Sequence, residues 1–257
     1  MSGNPSDKKL ALERWCRGSQ PGCRLICFTH AGAGAAAYQP WPALLPDNVE
    51  VCAIRLPGRE RLISEQPFHS MVPLVDWVRN LIQPLLSCPF VVFGHSFGAL
   101  VAFEIARSLR RHALPEPSHL LVSGHRAPHL PRTEPKVAAW PDTEFSAYVE
   151  RMDGMSAAVL AHPELRTLVL PTLRADFAVI ESYEYSPEPP LGIPVRAFGG
   201  AHDPLVPVRD LAPWNTHTRG PFMSRVFPGG HFYLHEQRDA LLREIADTLP
   251  PLQGSRP

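Results

Sequence analysis

The sequence predicts an α/β fold: a mostly parallel central sheet, helices on both faces, and a helical insertion. Three observations carry this. Short apolar, β-branched runs recur and most end at Gly, Pro or a small polar residue, as buried parallel strands do. Helical periodicities alternate with them, the pattern of strand–helix–strand units. About 70 residues from Gly124 to Ile193 then hold no clear strand, whereas a crossover needs only about a dozen.

The strand candidates, in order, are Arg24–Phe28, Val49–Ile54, Phe90–Phe93, His119–Ser123, Val195–Phe198 and Ser224–Phe227. Between them, Met71–Leu86 places Met71, Val75, Val78, Ile82 and Leu85 on one helical face. Phe97–Leu109 does the same with Leu100, Val101, Ile105 and Leu109, and Arg238–Leu249 with Leu241, Leu242, Ile245 and Leu249. Inside the long gap, Phe145–Met152, Ala157–Ala161 and Glu164–Tyr183 have helical spacing. Prolines 128, 131 and 135 precede them and prolines 187, 189 and 190 follow. This reads as a lid over about residues 130–190, on hinge-like flanks, within one domain spanning 1–257. Met152, Met155, Phe177, Tyr183 and Tyr185 are taken mostly as lid core, with an acyl-channel lining left open for some of them.

Composition narrows the function. Lys+Arg and Asp+Glu both number 25, so the formal charge is 25 − 25 = 0. That leaves no electrostatic footprint for nucleic acid. With 44% hydrophobic and 19% charged residues the chain is ordinary globular material, although its 30 prolines in 257 residues are about twice the usual share. No apolar run approaches the roughly 20 residues of a membrane span. The N-terminus lacks the apolar stretch of a signal peptide, so a cytoplasmic protein is expected. The 5 cysteines form no C-x-x-C pair, and neither a disulfide framework nor a metal site is expected.

The chemistry lies at strand ends. Gly94-His95-Ser96-Phe97-Gly98 sits between a buried strand and an amphipathic helix, the context of a nucleophile elbow. Side chains at the glycine positions would clash in so tight a turn, and the helix N-terminus aims free N–H groups and positive charge at the serine. A serine nucleophile needs a base, and the base an orienting acid, in the chain order Ser, acid, His. Asp203, in Gly-Gly-Ala-His-Asp-Pro, and His231, in Pro-Gly-Gly-His-Phe, both follow late strands, where open α/β sheets place their sites. Asp210, His202 and His235 are the rivals, disfavoured by position. Two oxyanion donors are expected: the Phe97 N–H, and the Ala31 N–H in the small, Gly-rich loop His30-Ala31-Gly32-Ala33-Gly34. His30 receives no chemical role and His95 reads as a packed histidine. Leu56–Glu60 reads as a turn with an Arg59–Glu60 pair, and a phosphate-binding role for Arg55 or Arg59 stays open beside it.

These pieces together resemble the type II thioesterases that accompany polyketide and nonribosomal peptide synthetases, relatives of the medium-chain thioesterase of fatty acid synthase. The matching motifs are CFTHAGAG (27–34), RLPGRE (55–60), FGHSFGA (93–99), LRADF (173–177), HDPLV (202–206) and PGGHFYL (228–234). Thr29 stands where the family usually has Pro, and Ala33 where it has Gly. The resemblance implies an α/β-hydrolase fold and a Ser96-His231-Asp203 acyl-enzyme mechanism that removes acyl groups from the phosphopantetheine arm of acyl or peptidyl carrier proteins. It implies no cofactor beyond the substrate's own phosphopantetheine, and a monomer is the default. A serine esterase or acyltransferase of the same fold, acting on free esters, is the alternative.

Overall fold

The computed structural model describes residues 10–152 and 162–250. Seven strands form one sheet in the order β1-β3-β2-β4-β5-β6-β7. They are β1 (Leu12–Trp15), β2 (Cys23–Phe28), β3 (Val49–Ile54), β4 (Phe90–His95), β5 (Leu120–Ser123), β6 (Val195–Gly200) and β7 (Phe222–Phe227). All neighbours run parallel except β1, which is antiparallel to β3. The six predicted strands are all present, and β4 continues two residues further, to His95. The strand missed by sequence is β1, LERW, at the sheet edge, with Leu12, Glu13 and Trp15 partly exposed and Arg14 exposed. A short, charged edge strand lacks the apolar run that marks a buried one.

The helices divide between the two faces. On one face α1 (Met71–Ile82) and α2 (Phe97–Arg111) bury Leu74, Val75, Val78, Leu100, Val101 and Ile105 against Ile26, Val92 and Val122. Pro84 follows α1, which passes into a single 3-10 turn over Gln83–Leu85. On the other face two 3-10 turns (Ala35–Tyr38 and Trp41–Leu44) and the last helix pack on Leu25, Val51, Val91 and Phe93.

The insertion between β5 and β6 carries α3 (Asp142–Arg151) and α4 (Pro163–Ser182). The predicted segment 157–161 and Met155 lie outside the described residues. After β7 come the short helix α5 (Tyr233–Glu236) and α6 (Arg238–Ala246), the latter ending three residues earlier than predicted.

The flanks of the insertion carry side-chain ties. Glu181 accepts the N–H groups of Val137 and Ala138 at 2.6 and 2.9 Å. Glu188 pairs with Arg107, Arg110 and Arg111 of α2 at 2.8, 2.7 and 2.6 Å. The Glu188 contacts tie the Pro-rich segment 187–190 to α2, whereas the Glu181 contacts join two parts of the insertion itself.

The chain winds to one side of β2 to reach β3, and to the other side to reach β4. Strand order therefore reverses at β2. The crevice beyond the carboxyl ends of β2 and β4 is where such sheets bind ligands. The loop after β2 (residues 29–34) and the turn after β4 (Ser96) meet there.

Candidate active site

Ser96 follows β4 directly and is the residue before α2, with φ 55° and ψ −120°. A non-glycine residue at positive φ is strained and persists only where its surroundings hold it. Here the Ser96 N–H donates to the Ser123 carbonyl on β5 at 2.7 Å. The glycines have the predicted cause. A Cβ on Gly94 would overlap the Gly98 carbonyl, and one on Gly98 would overlap the Phe28 carbonyl at the end of β2.

The structure brings the three predicted side chains into one relay. His231 Nε2 lies 2.9 Å from Ser96 Oγ, and its Nδ1 lies 2.8 Å from Asp203 Oδ2. The second oxygen, Asp203 Oδ1, accepts the N–H groups of Leu205 and Val206 at 2.8 and 3.1 Å, so the carboxylate is fixed at both ends. Asp203 and His231 are buried, and Ser96 is partly open to a cavity of about 450 Å³ that Ala31, Phe97 and His231 also line. The Phe97 N–H belongs to the unpaired first turn of α2. Neither it nor the Ala31 N–H is taken by a carbonyl of the described residues.

None of the rivals joins the relay. Asp210 lies 3.4 Å from the Arg126 guanidinium. His235 stacks on Phe232, and His202 is exposed. His95 is packed as predicted. It is fully buried, with Nδ1 2.9 Å from Ser123 Oγ, which in turn lies 2.6 Å from the Tyr233 hydroxyl. Burial first, and then the charge of His231, holds the His95 imidazole well below its usual pKa, so it stays neutral. His30 packs edge-on against Phe232, and burial lowers its pKa as well.

One sequence reading changes. The Arg59–Glu60 pair is not formed. Glu60 pairs with Arg55 at 2.5 Å, and Arg55 also pairs with Glu13 at 2.5 Å. Arg59 instead reaches Asp176 of α4 at 2.8 Å. With both guanidiniums buried against carboxylates, neither offers a docking point for a substrate phosphate. The open reading of the insertion's aromatic and Met residues is sharpened for Met152, Phe177, Tyr183 and Tyr185. They line the cavity, with Tyr148 and Ile180. The residue missed by sequence is Asp176. It sits between Leu173 and Val179 on the buried face of α4, and a carboxylate on an apolar helix face demands a partner. That, and its place in the LRADF motif, were its signals.

The family model described as the Thioesterase domain matches residues 23–249. The chain belongs to the thioesterase family. Among its relatives, the gramicidin S biosynthesis protein GrsT of Aneurinibacillus migulanus is 40% identical over 226 residues, 88% of each chain. Among solved structures, the thioesterase RedJ from the prodiginine biosynthetic pathway of Streptomyces coelicolor is 36% identical with a TM-score of 0.85, covering 91% of this chain and 94% of its own. The type II thioesterase BorB from the borrelidin biosynthetic cluster is 35% identical with a TM-score of 0.85, covering 93% and 97%. This thioesterase thus has relatives from gramicidin S, prodiginine and borrelidin biosynthesis, and its mostly parallel sheet with flanking helices is theirs.

Proposed function

We propose that this thioesterase hydrolyses acyl groups from the phosphopantetheine arm of acyl or peptidyl carrier proteins, clearing stalled or misprimed units from a polyketide or nonribosomal peptide synthase. The Ser96–His231–Asp203 relay opening onto a largely apolar cavity carries this reading. The names of its relatives supply the biosynthetic-pathway context.

The geometry supports a two-step reaction. His231 Nε2 takes the Ser96 proton as Oγ attacks the thioester carbonyl. Asp203 holds the imidazole through Nδ1 and stabilises its charged form. The N–H groups of Phe97 and Ala31 donate to the developing oxyanion, each worth about 100- to 1000-fold in rate where such donors have been removed. The pantetheine thiol leaves with a proton from His231. Water, deprotonated by the same imidazole, then releases the acid and restores Ser96. The insertion walls the acyl chamber and governs entry of the arm. No cofactor is needed for these steps. We read the enzyme as a cytoplasmic monomer. No helix among the described residues is long and apolar enough to cross a membrane.

The experiment is hydrolysis of acetyl-, propionyl-, malonyl- and hexanoyl-carrier protein by wild type and Ser96→Ala. Acid release by the wild type that falls at least ~10⁴-fold in the folded variant is expected. Turnover unchanged in Ser96→Ala would remove Ser96 from the reaction.

A further inference from the structure

We propose that Asp176, held by Arg59, is the positioning residue of the oxyanion loop, so that the α4 helix of the insertion completes the hydrolytic centre. The proposal rests on the thioesterase reading above.

The loop needs an external hold. Ala33 N–H donates to the His30 carbonyl at 3.2 Å, which makes residues 30–33 a β-turn with Ala31 and Gly32 at its centre. Gly32 has φ +76°, the value of the third position in a type II turn. Type I and type II turns differ by rotation of the central peptide, here the one joining Ala31 to Gly32. That rotation would swing the Gly32 N–H to the other side and displace the adjoining Ala31.

Asp176 stops it. Its Oδ2 accepts the Gly32 N–H at 2.7 Å, and also Arg59 Nη1 at 3.0 Å, while Oδ1 accepts Arg59 Nη2 at 2.8 Å. Arg59 Nη1 reaches on to the Ala33 carbonyl at 3.1 Å, and the Thr29 hydroxyl donates to that same carbonyl at 3.0 Å. The two ionised residues thus grip both the N–H and the C=O side of the turn. A Cβ on Gly32 would meet Leu173 Cδ1 at 2.8 Å, so α4 packs straight onto the turn. With the Gly32 N–H occupied by Asp176, the Ala31 N–H is taken by no carbonyl of the described residues, and Ala31 lines the cavity beside Ser96.

Stability alone is a poor reason for this pair. Arg59 is 5% and Asp176 2% exposed. Ion pairs so buried are often no better than apolar residues of similar size. The grip on the turn is what a Leu–Met pair could not provide.

The test uses acyl-pantetheine hydrolysis and inhibition by a trifluoromethyl ketone analogue, whose adduct with Ser96 places an oxyanion in the hole. Asp176→Ala is expected to lower kcat about 100-fold with KM within about 3-fold, because the lost interaction acts in the transition state. Affinity for the ketone should fall by the same factor, with product-acid affinity unchanged. Asp176→Asn, whose amide oxygen can still accept the Gly32 N–H, should recover part of both. Arg59→Met/Asp176→Leu leaves no unpaired buried charge and should fold with a melting point near wild type, yet show the Asp176→Ala kinetics. Wild-type kcat and ketone affinity in the double variant, whatever its melting point, would overturn the proposal. Ser96→Ala separates the two failures. Serine-dependent wild-type turnover with indifferent Asp176 variants defeats only the positioning role, whereas serine-independent turnover defeats the underlying reading.

Discussion

The two halves of the active site are built in different ways. The nucleophile half is fixed by backbone. Ser96 hangs from β5 through its N–H, and Gly94 and Gly98 let β4, α2 and the end of β2 touch without side chains between them. The oxyanion-loop half is fixed by side chains from far away. Asp176 lies 144 residues from Gly32 and 117 from Arg59. A site needs both sub-ångström placement and an open mouth. Sheet and glycines supply the first for the serine. For the loop, which borders the cavity, an ion pair between Arg59, after β3, and Asp176 of the insertion does so.

The largest way to break the first half is chemical. Asp203→Asn should lower kcat by about 10³- to 10⁴-fold with little change in melting point, because the imidazole loses its tautomer and its counter-charge while the fold keeps its contacts. Steady-state kinetics beside thermal unfolding will check it.

A steric change tests how tightly the halves abut. Gly98→Ala places a methyl group on the Phe28 and Thr29 carbonyls, where β2 ends and the oxyanion loop begins. Destabilisation of about 2–4 kcal/mol is expected, a drop of roughly 5–15 °C in Tm for a chain of this size. A Tm within 2 °C of wild type would mean that the close approach is not needed.

How much of each half was legible in the sequence follows from the same contrast. The elbow, the relay and the Gly-rich loop could be read because each is a local pattern set at the end of an apolar run. Ser96, Asp203 and His231 needed only strand order and position to be singled out. The Arg59–Asp176 pair could not be matched that way. Its partners belong to elements whose docking no local pattern specifies, and Glu60, adjacent to Arg59, looked the nearer partner. The flanks of the insertion hid their ties for the same reason. Their prolines are visible locally, but the arginines of α2 that bind Glu188 are not. β1 was missed because an edge strand with Glu13 and Arg14 at its centre has no apolar signature.

A smaller effect sharpens the picture of the neutral histidines around the site. Burial lowers His217 to about 4 from 6.5, with His129 and Arg107 adding to the shift, and lowers His125 to about 4. Burial also holds His95 well below its usual value. Between those values and 6.5 the unfolded chain binds protons that the native chain does not. Stability is therefore full above about pH 6.5 and falls on acidification, by roughly 1.4 kcal/mol per pH unit for each such histidine. In His217→Gln the slope of unfolding free energy between pH 6 and 5 should shrink by about one proton. An unchanged slope would show that His217 does not contribute.

The smallest effect concerns the tied flank. Glu188→Gln should cost about 1 kcal/mol, since the carboxylate is partly exposed, and should speed proteolytic cleavage between α4 and β6. Identical cleavage rates would return that flank to the hinge-like reading.

The most direct test of the account compares kcat/KM for one acyl group on a carrier protein, on free N-acetylcysteamine and on p-nitrophenol. A carrier-protein thioesterase should favour the carrier-bound thioester by at least ~10-fold, with all three activities lost in Ser96→Ala. A p-nitrophenyl ester preferred outright, with no advantage from the carrier, would contradict it and identify a serine esterase built on the thioesterase fold.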